Sequence, residues 1–524
     1  MEKPKRLSAS GSKSHSKKKS CQIGPFSQKK RRDEVLKLRM KQAKYFDRHY
    51  RAHRCNGDEE LYPNKIGNFS KALPHNLLGE ADKKAYKTLK KALTSGKPED
   101  FESILMGNVV KLANPQAAYA FDLAGPDSHQ LSIAVPPRFS SAWQAGEMVE
   151  LYWRAITRDV PFSDYDQNPL IVEAAAELSK LSDFRGPKES GAVTSGTLFR
   201  GNTPGEQTGP LISQFLWKDI RQGIKTVTQQ YYTPVPGDDY LTSYNEWEAI
   251  QNGHLPSSRN HLDSVPRYIR SGRDLGEWVH QDYSFQAFLN ACLILITYGQ
   301  GALDQDNPYL HSKTQGGFIT FGSVHMLDFI TKATRNALEA AWFQKWLVHR
   351  KLRPEEFGGF VHNHLTGASY YPINQELLDS NAIKHIKRKF GTYLLPIAYP
   401  EGCPTHPSYP AGHASIAGAC VTILKAFFNE SFAIPNPVAV NSDGTALIPY
   451  AGPTLTIGGE LNKLASNIAH GRDTAGVHFR SDGVEGLKLG ESVAIGILQS
   501  YKKTYNETFK GFTFTRFDGT KITI

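Results

Sequence analysis

Three segments in the second half of this 524-residue chain carry residues whose types and spacing can do chemistry together. The first is Lys345-Trp-Leu-Val-His-Arg-Lys-Leu-Arg353-Pro354. Lys345 lies near the end of an amphipathic pattern, and Arg353 lies where Pro354 turns the chain out of a helix. A lysine is a point charge and an arginine a planar fork suited to oxyanion oxygens, so the two can converge on one anion. Alone, such a pair more often complements a helix dipole. The second segment is Pro407-Ser408-Tyr409-Pro410-Ala411-Gly412-His413, which runs straight into an apolar helix. Gly412 lets the backbone approach a ligand closely, and the free N–H groups and dipole of the helix start face the same point. His413 sits at that start, although the segment alone also reads as a plain Pro/Gly helix entry. The third is Arg472-Asp-Thr-Ala-Gly-Val-His478-Phe-Arg-Ser-Asp482. On a continuous helix Arg472 and His478 would lie far apart around the axis. Gly471 and Gly476 are expected to break it, so that both side chains point into one pocket. Asp482 opens the next helix, where it either orients the His478 ring or caps that helix. Together the segments supply three cations, a helix N-terminus and two histidines. That is an inventory for a tetrahedral oxyanion with one in-line ligand and one acid–base group.

The elements that must position these residues are helical. Apolar residues recur at helical spacing over 283–298, 326–349, 413–428, 461–470 and 482–501, and in the first half over 147–156 and 170–181. Residues 65–95 read as a loop followed by a helix. Strand signals are confined to 447–450 and 512–517, and there is no internal repeat. Residues 113–140 and 185–275 are rich in Gly, Pro, Asp and Ser and read as long surface excursions. The expected class is mainly α: a large helical bundle with long loops and minor β structure.

Composition narrows the setting. The net charge of +11 is uneven: residues 1–54 hold 18 Lys/Arg against 4 Asp/Glu, leaving 44 against 47 in the remainder. The basic balance belongs to a tail over 1–60, expected to be largely disordered up to about residue 30. Such a tail either contacts an anionic partner or is simply solvated. Residues 61–524 form the expected folded domain, with the active-site half at about 280–505. No apolar run reaches the roughly 20 residues of a membrane helix, and no apolar stretch follows the N-terminal basic residues as in a signal peptide. A soluble, cytoplasmic protein is the expectation. The five cysteines match no metal or disulfide framework, and Cys292 and Cys420 lie in apolar helical stretches as expected buried thiols. Five Met and five Cys also leave few side chains for an oxidant to attack.

At these residues the chain resembles the vanadium-dependent haloperoxidases, nearest their bromoperoxidase branch. The resemblance is carried by THPSYPAGHASIAGACVTILKAF, by NKLASNIAHGRDTAGVHFRSDGVEGLKLGE and by KWLVHRKLRPEEFGG. It extends more weakly through GFITFGSVHMLDFI, LYWRAITRDVPF, FDLAGPDSHQ and LPHNLLGE, and so spans roughly residues 65–510. It implies a vanadate cofactor and no haem. His478 matches the histidine that binds vanadium. Lys345, Arg353, Arg472 and the backbone N–H of Gly412 match the groups that bind vanadate oxygens, and His413 matches the acid–base histidine. His406 matches a histidine typical of bromoperoxidases, where a chloroperoxidase has Phe, so bromide and iodide are expected over chloride. Trp342 matches a residue beside the halide in some relatives, and Asp282 is aligned as a partner for Arg472. The reaction implied is oxidation of halide by hydrogen peroxide to a hypohalous-acid equivalent that halogenates small organic nucleophiles, in a homo-oligomer. The metal stays at +5, while His413 moves a proton and Lys345 polarises the peroxide. One position departs: Ala411 stands where the family pattern has Ser. The acidic calcium-binding loop of some relatives is not found around 307–315, so calcium is not expected.

Two other readings fit the same residues. The type-2 phosphatidic acid phosphatases share the Lys/Arg, Gly-His and Arg/His pattern, with a histidine at position 478 attacking phosphorus and Asp482 supporting it. An inactive oxyanion-binding relative that lost activity with the serine is the third.

Overall fold

Alanine, glycine and serine recur in the second half at spacings that let helices approach closely, and a bundle forms from them. In this computed structural model, residues 27–48 and 50–524 are described. Four long helices make the bundle: Ser323–Phe343, Gly412–Phe427, Ile457–Thr474 and Arg480–Lys502. The Gly412–Phe427 helix is central, and every residue in it except His413 is buried. It packs most extensively against Arg480–Lys502. Glycines set that approach: a Cβ at Gly418 would stand 2.1 Å from the Leu487 carbonyl, and one at Gly490 would stand 1.9 Å from that of Ser415. Neither position tolerates a side chain, so the two helices are held in one register. That register fixes where the N-termini of both helices meet.

A second core gathers the helices Ala142–Thr157, Pro169–Lys180 and Asn381–Phe390 with Trp247, Phe357 and Tyr399. Among the described residues, eight short strands pair into four two-stranded antiparallel ladders. Two strands fall where the sequence places them, at Leu447–Pro449 and Thr513–Thr515. The 185–275 stretch is more ordered than its Gly/Pro content implies. It carries the pairs Ile220–Gln222 with Lys225–Val227 and Tyr231–Pro234 with Leu262–Arg267, and the helix Tyr244–Gln251. The mainly helical class stands.

The chain divides into Met1–Arg48 and His49–Ile524. Residues 1–26 and 49 of the expected tail, with most of its unstructured part and Cys21, lie outside the described residues. Within it, Gln28–Arg48 is a helix with no buried residue, built from the strong helix formers Lys, Arg, Gln, Leu, Met and Ala. The larger unit begins some twelve residues before the expected boundary at 61. The reason is local: Asn56 donates to the Pro137 carbonyl at 3.2 Å, and Glu59 pairs with Arg350 at 2.5 Å. Cys292 and Cys420 are buried free thiols. Among the described residues, no helix is long and apolar enough to cross a membrane.

Candidate oxyanion site

The Ser323–Phe343 helix does not simply stop. It widens into a π-helical turn over Gln344–His349, closed by Arg350 in the left-handed region at φ 46°. Such turns rotate side chains off the α-helical pattern and recur at functional sites. The turn directs Lys345 into the protein, where it is fully buried. Its Nζ donates to the carbonyls of Pro407 (2.6 Å) and Ser408 (2.8 Å), leaving one of its three protons uncommitted. Three residues beyond Arg350 the chain enters the helix Pro354–Leu365, with Arg353 as its N-cap. Arg353 is also fully buried. It donates to the His406 carbonyl (2.8 Å), the His406 ring Nδ1 (2.8 Å), the Val477 carbonyl (2.7 Å) and His478 Nε2 (3.1 Å). The first segment is thereby tied to the second through Lys345 and to the third through Arg353. The second and third are joined by the Ala411 N–H, which donates to the Asp482 carbonyl at 2.9 Å.

His478 lies at the centre of this knot. An arginine can only donate, so Nε2, which receives from Arg353, carries no proton. Nδ1 then holds the proton and donates it to Asp482 Oδ2 at 2.9 Å. Burial holds the ring neutral, and the charges of Arg353, Lys345 and Arg472 push its pKa further below the usual range. The outcome is an imidazole with a fixed tautomer and an Nε2 lone pair aimed into a cationic pocket, the arrangement that metal-binding histidines take. Asp482 is held in turn. Its Oδ2 also accepts from the Phe479 N–H at 3.1 Å, and Lys351 Nζ stands 3.6 Å from Oδ1. Glu147 binds the start of the same helix through the Ser481 N–H (2.7 Å) and hydroxyl (3.0 Å).

The pocket is electrostatically unbalanced. Burial, with repulsion from Arg353 and Arg472, holds the Lys345 ammonium far below the usual lysine range. Burial also lowers Arg353 to about 10. His406 is pushed well below its usual value by burial and then by Arg353 and Lys345. The buried carboxylate of Asp482 offsets these cations only in part, so the pocket keeps a costly surplus of buried positive charge that an anion among them would lower. Among the described residues, Arg472 Nε and Ser408 Oγ are buried polar atoms with no protein partner. Arg472 is otherwise bound to the Val279 carbonyl at 2.8 Å and sits 5.4 Å from the Tyr399 ring centre. At the start of the Gly412–Phe427 helix, Ala411 is the N-cap and offers no side-chain cap. The leading N–H groups are left to an external acceptor.

Two expectations are corrected. Asp282 does not partner Arg472: its Oδ1 is 3.0 Å from His413 Nε2, because the Gly272–Gln281 helix ends beside the start of the Gly412–Phe427 helix. Gly471 does not break the helix, which runs unbroken from Ile457 to Thr474. Gly471 serves close packing, since a Cβ there would stand 3.1 Å from Leu275 and Val279. The break comes at Gly476, with φ +83°. Trp342 sits over His406 with ring centres 4.8 Å apart and borders Gly412, where an added Cβ would stand 3.4 Å from its ring. Lys351, Glu147 and Tyr399 were not singled out from the sequence. Lys351 lies inside the Lys345–Arg353 run, but nothing in its spacing separates it from a solvated lysine.

Comparison with known proteins places the chain in a family. The family described as the VCPO second helical-bundle domain matches residues 325–507, which contain every site residue named from the sequence except Asp282. A vanadium-dependent bromoperoxidase of Ascophyllum nodosum is 35% identical over 89% of this chain and 87% of its own. The chain belongs to the vanadium-dependent bromoperoxidase family. A second relative, the bromoperoxidase of Corallina pilulifera, is 34% identical over 90% of this chain and 94% of its own. The homohexameric structure of the second vanadate-dependent bromoperoxidase of Ascophyllum nodosum superposes with a TM-score of 0.90, at 30% identity, over 99% of this chain and 94% of that one. The bromoperoxidase likeness therefore extends from the site-bearing bundle across nearly the whole chain.

Proposed function

We propose that this chain is a vanadate-dependent peroxidase that oxidises bromide and iodide with hydrogen peroxide. The observation that carries the reading is the His478 Nε2 lone pair, fixed by Asp482 and faced by buried cations. A vanadate ion fits the donor set. Lys345, Arg353, Arg472 and the Gly412 N–H would hold its oxygens, and Arg472 Nε is a buried donor with no other acceptor. Among the described residues there is no group of three or more His, Cys, Asp or Glu that could chelate a metal cation. The pocket thus suits a metal carried as an oxyanion with one histidine ligand. Bound there, vanadium(V) supplies Lewis acidity toward peroxide. His413, partly exposed and hydrogen-bonded to Asp282, holds or releases a proton at Nε2 at the mouth of the pocket. Lys345 supplies a fixed positive donor, and an anion beside it restores its charge.

The relatives' bromide chemistry and the His406 position both favour bromide and iodide over chloride. Assembly into a homo-oligomer follows the homohexameric relative. The test is purified protein loaded with orthovanadate and assayed for peroxide-dependent oxidation of bromide, iodide and chloride, and separately for aryl-phosphate hydrolysis. Bromide and iodide turnover without phosphate release is expected. Strong, vanadate-inhibited phosphate release without bromination would overturn the reading.

The support of His478 gives a further expectation. Lys351→Met removes the cation that faces Asp482 and Glu147. Loss of an outer partner of this kind costs roughly 10- to 100-fold in metal affinity. Vanadate binding to the variant, read by calorimetric titration, should weaken by about tenfold or more. Unchanged affinity would show that Lys351 serves packing alone.

A further inference from the structure

The helix that ends at Asp282 also walls a groove. Tyr231, Tyr232, Trp278, Asp282, Tyr283 and Phe285 line it, and its volume is about 810 Å³. That lies within the ~300–1,000 Å³ range of small-molecule pockets. We propose that this groove binds the organic acceptor, an uncharged, electron-rich aromatic molecule of the phenol type, beside the halide-oxidising site; the inference rests on the function proposed above.

Three observations select that occupant. The first is continuity. Asp282 is a wall of the groove, and its carboxylate, itself buried, meets His413 Nε2 at 3.0 Å. The groove therefore begins one side chain away from the mouth of the oxyanion pocket. The second is charge. The lining holds no Lys or Arg, and its two carboxylates, Glu277 and Asp282, are buried against His280 and His413, so the groove offers an anionic acceptor no positive partner. The oxyanion pocket is cationic, so the two sites sort their ligands: halide and oxyanion to one, neutral ring to the other. The third is surface chemistry. Tyr232 is 55% exposed and Tyr283 79% exposed, leaving aromatic faces open for ring stacking. Glutamine side chains at 222, 230, 281 and 286 offer amides to a hydroxyl on the ring.

The chemistry balances with what the halide reaction supplies. Hydrogen peroxide, bromide and a proton give hypobromous acid and water. The ring's π electrons then form a C–Br bond as the Br–O bond breaks, and the departing hydroxide takes the ring proton to give water. A ring held in the groove intercepts the oxidant before it reaches bulk solvent.

The experiment uses the full-length protein with 2-naphthol as probe and its 6-sulfonate as the anionic control. Binding of 2-naphthol is measured by titration calorimetry, and bromination kinetics are followed at saturating bromide. The wild-type protein should bind 2-naphthol at least tenfold more tightly than the sulfonate, and its bromination should saturate. Trp278→Ala and the exposed-site variant Tyr232→Ala should each raise Kd and KM for 2-naphthol by tenfold or more. Bromide-dependent peroxide consumption should stay within twofold of the wild type. No binding of 2-naphthol, equal binding of the sulfonate, or variants with unchanged Kd would overturn the proposal, including by burial of the groove between copies of the chain. Binding of 2-naphthol by a protein that oxidises no bromide would instead overturn the proposed function and leave an aromatic-binding groove.

Discussion

His478→Ala should abolish tight vanadate binding while leaving the fold intact. The expected loss of affinity exceeds 100-fold, more than the roughly 10- to 100-fold that removal of an outer partner costs. The variant deletes the side chain whose unprotonated Nε2, fixed by Asp482, faces the pocket's cations. It keeps Lys345, Arg353 and Arg472, so weak, salt-sensitive binding of any tetrahedral anion should persist. That separates the two contributions: the cations attract an oxyanion and the histidine selects vanadium. The fold should survive because the segment is held by other bonds, from Arg353 to the Val477 carbonyl and from the Phe479 N–H to Asp482. Vanadate titration by calorimetry, with near-ultraviolet circular dichroism as the folding control, checks both statements. Undiminished affinity in a folded variant would remove His478 from the site.

Ala411→Ser should strengthen vanadate binding or raise the bromination rate by roughly 10- to 100-fold. A hydrogen bond to a charged group is worth about 1.5–3 kcal/mol, and each 1.4 kcal/mol or so is a factor of ten. Ala411 is fully buried and is the N-cap of the helix that enters the pocket. A serine there has two uses. Its oxygen can accept from the helix's leading N–H groups, worth about 1 kcal/mol of stability, and its proton can go to an oxyanion. Thermal denaturation with and without vanadate separates them. A Tm rise equal in both conditions reports capping alone. A larger rise with vanadate reports a bond to the ion. A variant with neither tighter binding nor faster bromination would mean that the buried hydroxyl of Ser408, which has no protein partner, or another donor already fills the role.

The convergence of the three segments was legible because each declares itself by residue type. Cations stand before Pro354, Gly412 stands at a helix start, and a histidine follows Gly476. What spacing does not encode is how the segments are tied together. The π-helical turn that aims Lys345 inward comes from the way Gln344–His349 packs, and its sequence reads as continued α-helix. Gly471 and Gly476 look alike in sequence. One lies in a helix pressed against Leu275 and Val279, and the other takes a positive φ, so tertiary contact decides between them. Asp282 was misassigned for a similar reason. It lies 131 residues from His413, and only the packing of two helix ends brings them together. The paired strands within 185–275 went unread because their segments are three to six residues long, too short for alternation to stand out from turn residues.

The central claim is that His478 ligates vanadium through Nε2. Vanadium K-edge X-ray absorption of the vanadate-loaded full-length protein tests it most directly. The account predicts a coordination shell with multiple scattering from one imidazole ring in the wild type, lost in His478→Ala. An all-oxygen shell without imidazole scattering in the wild-type protein would contradict it, leaving vanadate as a hydrogen-bonded anion in a pocket that has no metal ligand.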